Sequence, residues 1–278
     1  MTADPEAGVG GAGAGRLGVI AGAGALPAAL AAADPQALCI AFEGADVALP
    51  EDRLFRHRIE RLGGVFDALR AGGVTRVVLA GAMARPALDP AALDPVMQAL
   101  APRLLAAMQG GDDTLLRLVV AVFEAEGFAV LGAHELLPEL TAAAGHLAGP
   151  VVLDRALADA ARGAAILDAL APVDVGQGCV VAQGLCLGIE TLQGTDALLD
   201  FVARTPAHLR GEGGVFCKRP KAGQDLRVDM PAIGPDTIAG ARAAGLAGIC
   251  IAARGVVILN RAETLAAAQA AGISLWAQ

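Results

Sequence analysis

Between Cys217 and Gly234 the chain reads CKRPKAGQDLRVDMPAIG, and four of its 21 Lys and Arg residues fall within ten positions there: Lys218, Arg219, Lys221 and Arg227. Ammonium and guanidinium groups make charge-assisted hydrogen bonds to phosphate, so the stretch suits docking of an anion. Asp225 and Asp229 alternate with these cations. Hard carboxylate oxygens of this kind hold Mg²⁺ against a substrate's phosphates while the ion keeps several waters. Acid and base in one loop therefore fit phosphoryl chemistry; the plainer alternative is a solvated loop closed by its own salt bridges. A second acidic string, Glu190-Thr-Leu-Gln-Gly194-Thr195-Asp196, reads as a strand-to-helix junction. Ligands of α/β sheets gather at such junctions, although Thr195 or Asp196 would serve equally well as a helix cap. Gly110-Gly111-Asp112-Asp113-Thr114 carries the same ambiguity.

Other chemistries find less to work with. Gly22-x-Gly24 follows an apolar run and could bring backbone amides to a phosphate at a helix N-terminus, but Pro27 stands where a third dinucleotide-binding glycine would be. A lone G-x-G is weak evidence for nicotinamide binding and hence for an oxidoreductase, and no Walker pattern occurs. The string HELLP opens like a zinc-protease motif, yet Pro138 takes the place of the second histidine; His134 stays open as core or ligand. Ser274 is the only serine, which excludes a G-x-S-x-G nucleophile. A net charge of −8 disfavours nucleic acid as a partner. Five cysteines without a C-x-x-C pair behave as small hydrophobes and fit a reducing cytoplasm. The uncharged run from Leu17 to Ala33 contains glycines and Pro27, and only Arg16 precedes it as a basic residue, so neither a membrane span nor a secretory signal is expected.

At 278 residues the chain is long enough for two modest cores, and with 3% aromatics they must pack largely on small aliphatic side chains. Residues 1–15 are Gly- and Ala-rich and read as a disordered extension. Then come a strand at Leu17–Ala21, a helix from Pro27 to Ala33, a strand at Ala37–Phe42, a helix at Gly64–Ala71 and a strand at Arg76–Ala80. This alternation predicts a Rossmann-like α/β domain with a parallel sheet over residues 16–148. A helix from Asp112 ends at Gly127. The Ala142–Pro150 run loses periodicity and reads as a linker, which puts the boundary near Gly149. A second mixed α/β domain, 149–278, carries the charged loop. Its elements are a helix at Asp154–Leu170, a hairpin turning at Gln183-Gly184 with Glu190 at a strand end, helices at Thr195–Arg204, Pro235–Ala244 and Ala262–Ala271, and strands at Gly248–Ile251 and Val256–Leu259.

Taken in order, the strings LGVIAGAGALP, GGDDTLLR, FAVLGAHELLPEL, VGQGCVVAQGLCLGIETLQGTDALL and CKRPKAGQDLRVDMPAIGPDTI closely resemble the UDP-2,3-diacylglucosamine pyrophosphatase family of lipid A biosynthesis, the Mg²⁺-dependent kind with two α/β domains. The likeness runs from about Leu17 to the C-terminus. It implies hydrolysis of UDP-2,3-diacylglucosamine to UMP and 2,3-diacylglucosamine 1-phosphate, by an enzyme of the cytoplasm that meets the inner membrane peripherally through its lipid-bearing UDP-sugar. The essential aspartate of the family's R-V-D-x-P string falls on Asp229. On this resemblance Asp229, Arg227 and Lys218 are the catalytic candidates, and Gly22, Gly24, Thr195, Lys221 and Gln224 the substrate-binding ones. Asp229, Asp225, Glu190 and Asp196 are the expected ligands of Mg²⁺ or Mn²⁺. The alternative is a non-catalytic sensor that grips a nucleotide sugar without activating water. The Ala-rich surfaces would permit a homodimer.

Overall fold

The computed structural model describes residues 15–83, 88–109, 112–211 and 213–278. All of the expected N-terminal extension except Gly15 falls outside them, as do Gly110 and Gly111. The chain divides into two compact units after Leu136.

In the first unit, β1 (Arg16–Ala21), β2 (Leu38–Phe42), β3 (Leu54–His57), β4 (Val74–Ala80) and β5 (Ala129–Leu131) form one sheet in the order β3-β2-β1-β4-β5, every pair parallel. This is the Rossmann-like arrangement expected from the alternating pattern. α1 (Leu26–Ala33) and α2 (Leu62–Ala71) lie between strands, and α3 (Pro95–Gln109) and α4 (Asp112–Ala125) fill the long crossover to β5. α5 (Ala133–Leu136) follows and carries His134. Phe66, Phe123 and Phe128 meet with ring centroids 5.4 to 6.4 Å apart, giving this small-residue core an aromatic centre.

The second unit holds a six-stranded mixed sheet in the order β6-β13-β11-β9-β7-β8. Its strands are β6 (Gly145–Ala148), β7 (Gly178–Ala182), β8 (Leu185–Ile189), β9 (Val215–Lys218), β11 (Gly248–Ile251) and β13 (Ser274–Ala277). β10 (Ala232–Ile233) and β12 (Val257–Ile258) pair separately. β9, β11 and β13 run parallel. α6 (Asp154–Leu170) covers one face; α7 (Gly194–Ala203), α9 (Pro235–Ala243) and α10 (Arg261–Ala271) cover the other, and the short α8 (Ala207–Arg210) precedes β9. The expected hairpin is present: Gln183 and Gly184 both have positive φ, and the buried Asp159 carboxylate accepts from both of their amides.

Two expectations are corrected here. The Ala142–Pro150 run is no linker, because β6 pairs antiparallel with β13 at the edge of the second sheet. Its Gly and Ala content hid a short edge strand, and the unit boundary falls earlier in the chain than Gly149. The Gly22 turn also uses its own amides: Gly22 N–H donates to Ala80 O at 2.7 Å and Ala23 N–H to Ala82 O at 2.8 Å. A side chain at Gly22 would meet Ala82 O at 2.4 Å, so close backbone approach demands the glycine. Those two amides are therefore not available to cradle a phosphate. Gly24, at φ +99°, has nothing within 4 Å of where its Cβ would lie.

Alternation along β9 puts Cys217 under α6, in register with Cys179 and Cys250 on the neighbouring strands. A methyl group on Gly163 of α6 would stand 2.4 Å from Cys217 Sγ, so this helix rests directly on the thiol row. Burial pushes the Cys250 thiol up to about 12, and the Cys179 thiol, then burial, raise Cys217 as well. Since the thiolate is the reactive form, native protein is expected to react with an aromatic disulfide reagent at exposed Cys186, and unfolded protein at all five cysteines. Fast native labelling of Cys217 or Cys250 would contradict this packing.

Candidate active site at the carboxyl end of the second sheet

β9 and β11 end together, with Lys218 paired to Ile251, and ligand groups of α/β sheets collect at this edge. Lys218 is the last residue of β9 and faces away from Cys217, towards α7. Its ammonium donates to both Glu190 oxygens, at 2.8 and 2.7 Å, and to Thr195 Oγ1 at 2.8 Å. Thr195 in turn donates to Glu190 Oε1 at 2.9 Å. Lys218 is 4% exposed and Glu190 8%. An ammonium has three donors, and here all three have acceptors inside the unit. The geometry thus turns the Lys218 ammonium to Glu190 and Thr195 and away from the loop that follows. It ties the end of β9 to the end of β8 and the start of α7. Glu190 likewise turns its carboxylate inward to Lys218, and Asp196 stands exposed in the first turn of α7.

Beyond Arg219 the chain builds its own framework. The Arg219 amide donates to Gln177 O at 2.9 Å, fixing the loop's first step against β7's approach. Gln224 Oε1 accepts from the Lys221 amide at 2.9 Å, while its Nε2 donates to Asp229 O at 2.6 Å and to the Asp229 carboxylate. One side chain thus spans the loop and sets where Asp229 sits. Between them Asp229 N–H donates to Asp225 O at 3.1 Å, closing a single helical turn. Arg227 forks onto Asp225 with Nε to Oδ1 at 2.9 Å and Nη2 to Oδ2 at 2.7 Å. Lys221 pairs with Asp174, whose left-handed φ of 57° follows the turn after α6. Arg219 reaches Asp168 more loosely, at 3.5 Å.

The structure thus gathers the expected residues into three groups: Glu190, Thr195 and Lys218; Gln224 with Asp229; Asp225 with Arg227. It adds Asp174, Asp168 and Gln177, which the sequence reading had not singled out. The only sequence signal for Asp174 was the Asp-Val-Gly turn it opens. Among the described residues, no three His, Cys, Asp or Glu side chains stand together so as to hold a metal ion. The four-carboxylate set of Asp225, Asp229, Glu190 and Asp196 is therefore not assembled. Asp225 and Asp229, one turn apart, fit the sparser mode in which Mg²⁺ takes one or two carboxylates together with substrate phosphates.

Removing one member of a buried ion pair leaves an uncompensated charge, at a cost of about 3–5 kcal/mol, whereas an apolar replacement of both is often neutral. Lys218→Met is expected to destabilise the second unit by that amount, and Lys218→Met with Glu190→Leu to recover most of it. The fluorescence of Trp276, the single tryptophan, in denaturant titrations reads this unit directly. A loss below about 1 kcal/mol in the single variant would place the pair in solvent.

Family models match both units: the LpxI N-terminal domain over residues 16–140 and the LpxI C-terminal domain over residues 143–276. The chain is also similar to the UDP-2,3-diacylglucosamine pyrophosphatase LpxI of Caulobacter vibrioides, 38% identical over 281 aligned positions that cover 93% of this chain and 95% of that protein. With both domain models matched in order and that identity sustained almost end to end, the chain belongs to the LpxI family.

Proposed function

We propose that this protein hydrolyses the pyrophosphate bond of UDP-2,3-diacylglucosamine in lipid A biosynthesis, water adding across the phosphoanhydride to release UMP and 2,3-diacylglucosamine 1-phosphate. The observation that carries this reading is the 38% identity to the Caulobacter enzyme across 93% of the chain. The alternating cations and acids at the carboxyl edge of the second sheet support it chemically. Arg227 and Lys221 are paired to carboxylates at the loop surface and would exchange them for the diphosphate oxygens, where charge develops in the transition state. Gln224 holds Asp229 so that its carboxylate orients the attacking water. A divalent metal, Mg²⁺ or Mn²⁺, would be held by Asp229 and Asp225 beside the diphosphate; when bound it supplies Lewis-acid polarisation of a phosphoryl oxygen. Lys218, Glu190 and Thr195 contribute by fixing the root of the loop.

Among the described residues no helix is long and apolar enough to cross a membrane. Contact with the inner membrane would therefore run through the lipid-bearing substrate, on its cytoplasmic side.

Purified protein incubated with UDP-2,3-diacylglucosamine and Mg²⁺ is expected to release UMP. Asp229→Asn should lower kcat about a hundredfold or more, the range in which a positioned acid-base group acts, with little change in folding. Gln224→Ala should lower kcat by a smaller factor, since it acts through Asp229. A chelator should abolish turnover, and added Mn²⁺ or Mg²⁺ should restore it. Chelator-insensitive turnover would remove the metal and leave the hydrolysis standing. Tight substrate binding without UMP release would favour the nucleotide-sugar sensor instead.

A further inference from the structure

The two lysines of the charged loop are satisfied to different degrees. All three donors of the Lys218 ammonium have acceptors. The Lys221 side chain is also mostly covered, at 18% exposed, yet among the described residues its ammonium meets a single acceptor, the carboxylate of Asp174. An ammonium has three donors, so two of those on Lys221 are left for solvent or for the oxygens of a ligand. Phosphate oxygens are acceptors of the kind that lysine prefers.

Asp174 owes its place to a part of the fold other than the loop it meets, 47 positions away in the chain. A single 3₁₀ turn, Ala171–Val173, follows α6, and the Asp174 amide donates to Ala171 O at 3.1 Å. Asp174 then takes φ 57°, a left-handed conformation that Asp tolerates better than most side chains. Two residues on, a side chain at Gly176 would stand 2.1 Å from Glu190 O, and Gln177 O accepts from the Arg219 amide. The turn that presents Asp174 is therefore seated against Glu190 and the start of the loop. Asp225 differs, because it lies two residues from Arg227 and belongs to the same segment as its cation. Asp174 is also open to water, its side chain 57% exposed, so it can release Lys221 without being buried unpaired.

A carboxylate that the fold holds beside a cation with unspent donors is a rival to any anion reaching that cation. We infer that Asp174 is the built-in competitor of phosphate at Lys221. A phosphate group gains this ammonium only by displacing Asp174, so Asp174 sets how tightly phosphate groups are retained at the loop. The inference rests on the proposed function for the identity of the anion, and it concerns affinity and not the chemical step.

Inorganic pyrophosphate is the probe, with Kd measured by calorimetry on the full chain, with and without Mg²⁺. The variants are Asp174→Asn, Asp174→Gly, Lys221→Met and the double variant Asp174→Asn with Lys221→Met. Asn and Gly both accept the left-handed backbone at position 174, so the turn outlasts removal of the charge. Both Asp174 variants are expected to bind pyrophosphate about threefold more tightly than wild type, the scale of a part-exposed ion pair. Lys221→Met should bind it more weakly, and the double variant should match Lys221→Met. A gain from Asp174→Asn that persists alongside Lys221→Met reports only one negative charge fewer nearby, and it overturns the inference. Weaker or unchanged binding in both Asp174 variants, the result of a merely structural latch, overturns it too. So does a wild-type protein that binds no pyrophosphate in either condition. UMP release by wild type from UDP-2,3-diacylglucosamine judges the hydrolytic reading separately, since pyrophosphate binding needs no turnover.

Discussion

The second unit depends on one charge placed where water does not reach. The Lys218 ammonium is buried at the end of a central strand, and an isolated cation there would cost several kcal/mol. It is tolerated because Glu190 and Thr195 meet its three donors and also bond each other, leaving no donor of the ammonium without a partner. Such a network accepts few geometries. The ends of β8 and β9 and the first turn of α7 are thereby brought to one point, although these residues are 23 and 28 positions apart in the chain. The backbone repeats the constraint, since Ala252 N–H donates to Lys218 O at 3.0 Å and Arg219 N–H to Gln177 O. The loop that follows leaves from a fixed origin.

Past that origin the interactions change in kind. The pairs Arg227–Asp225 and Lys221–Asp174 are part-exposed, and pairs of that sort are worth about 0–1 kcal/mol each. They shape the loop without holding it strongly, and carboxylates paired this loosely are the ones the proposed hydrolysis would have a diphosphate replace. The Gln224 bridge spans the Lys221 amide to Asp229 and uses none of the carboxylates that pair with Arg227 and Lys221. The loop thus combines a rigid root, loosely paired cations and an aspartate held separately from them.

Legibility in the sequence followed the same division. Helix α6, the Gln183-Gly184 turn and strand β11 are legible because helical periodicity, positive-φ turn chemistry and apolar runs are local signals. β9 and β13 were not seen, although both are central. Four residues of GVFCK merge into a basic run, and SLWA carries too little pattern to separate from the helix before it. β6 was lost in a Gly/Ala run. At the site, residue types at Asp229, Arg227 and Gln224 were sufficient to mark the loop. Partner choice was not readable, because Glu190 meets Lys218 only through tertiary pairing of β7 with β8 and β9. Glu190 is a metal-ligand candidate by residue type, and its contact with the Lys218 ammonium is legible only in the structure.

The distinction between structural and exchangeable cations comes down to strand parity. In β9 successive side chains point to opposite faces: Phe216 and Lys218 share the face covered by α7, and Cys217 points to α6. Lys218 is the last residue still bound by that alternation, so its charge is committed to the interior. Arg219 and Lys221, beyond the strand, reach surface carboxylates. Composition gives all of them the same charge and counts them as one basic cluster. Where the strand ends decides which cation is built into the interior and which lie beyond it on surface carboxylates, and that end is set by the register of β9 on β11, in which Lys218 is opposite Ile251.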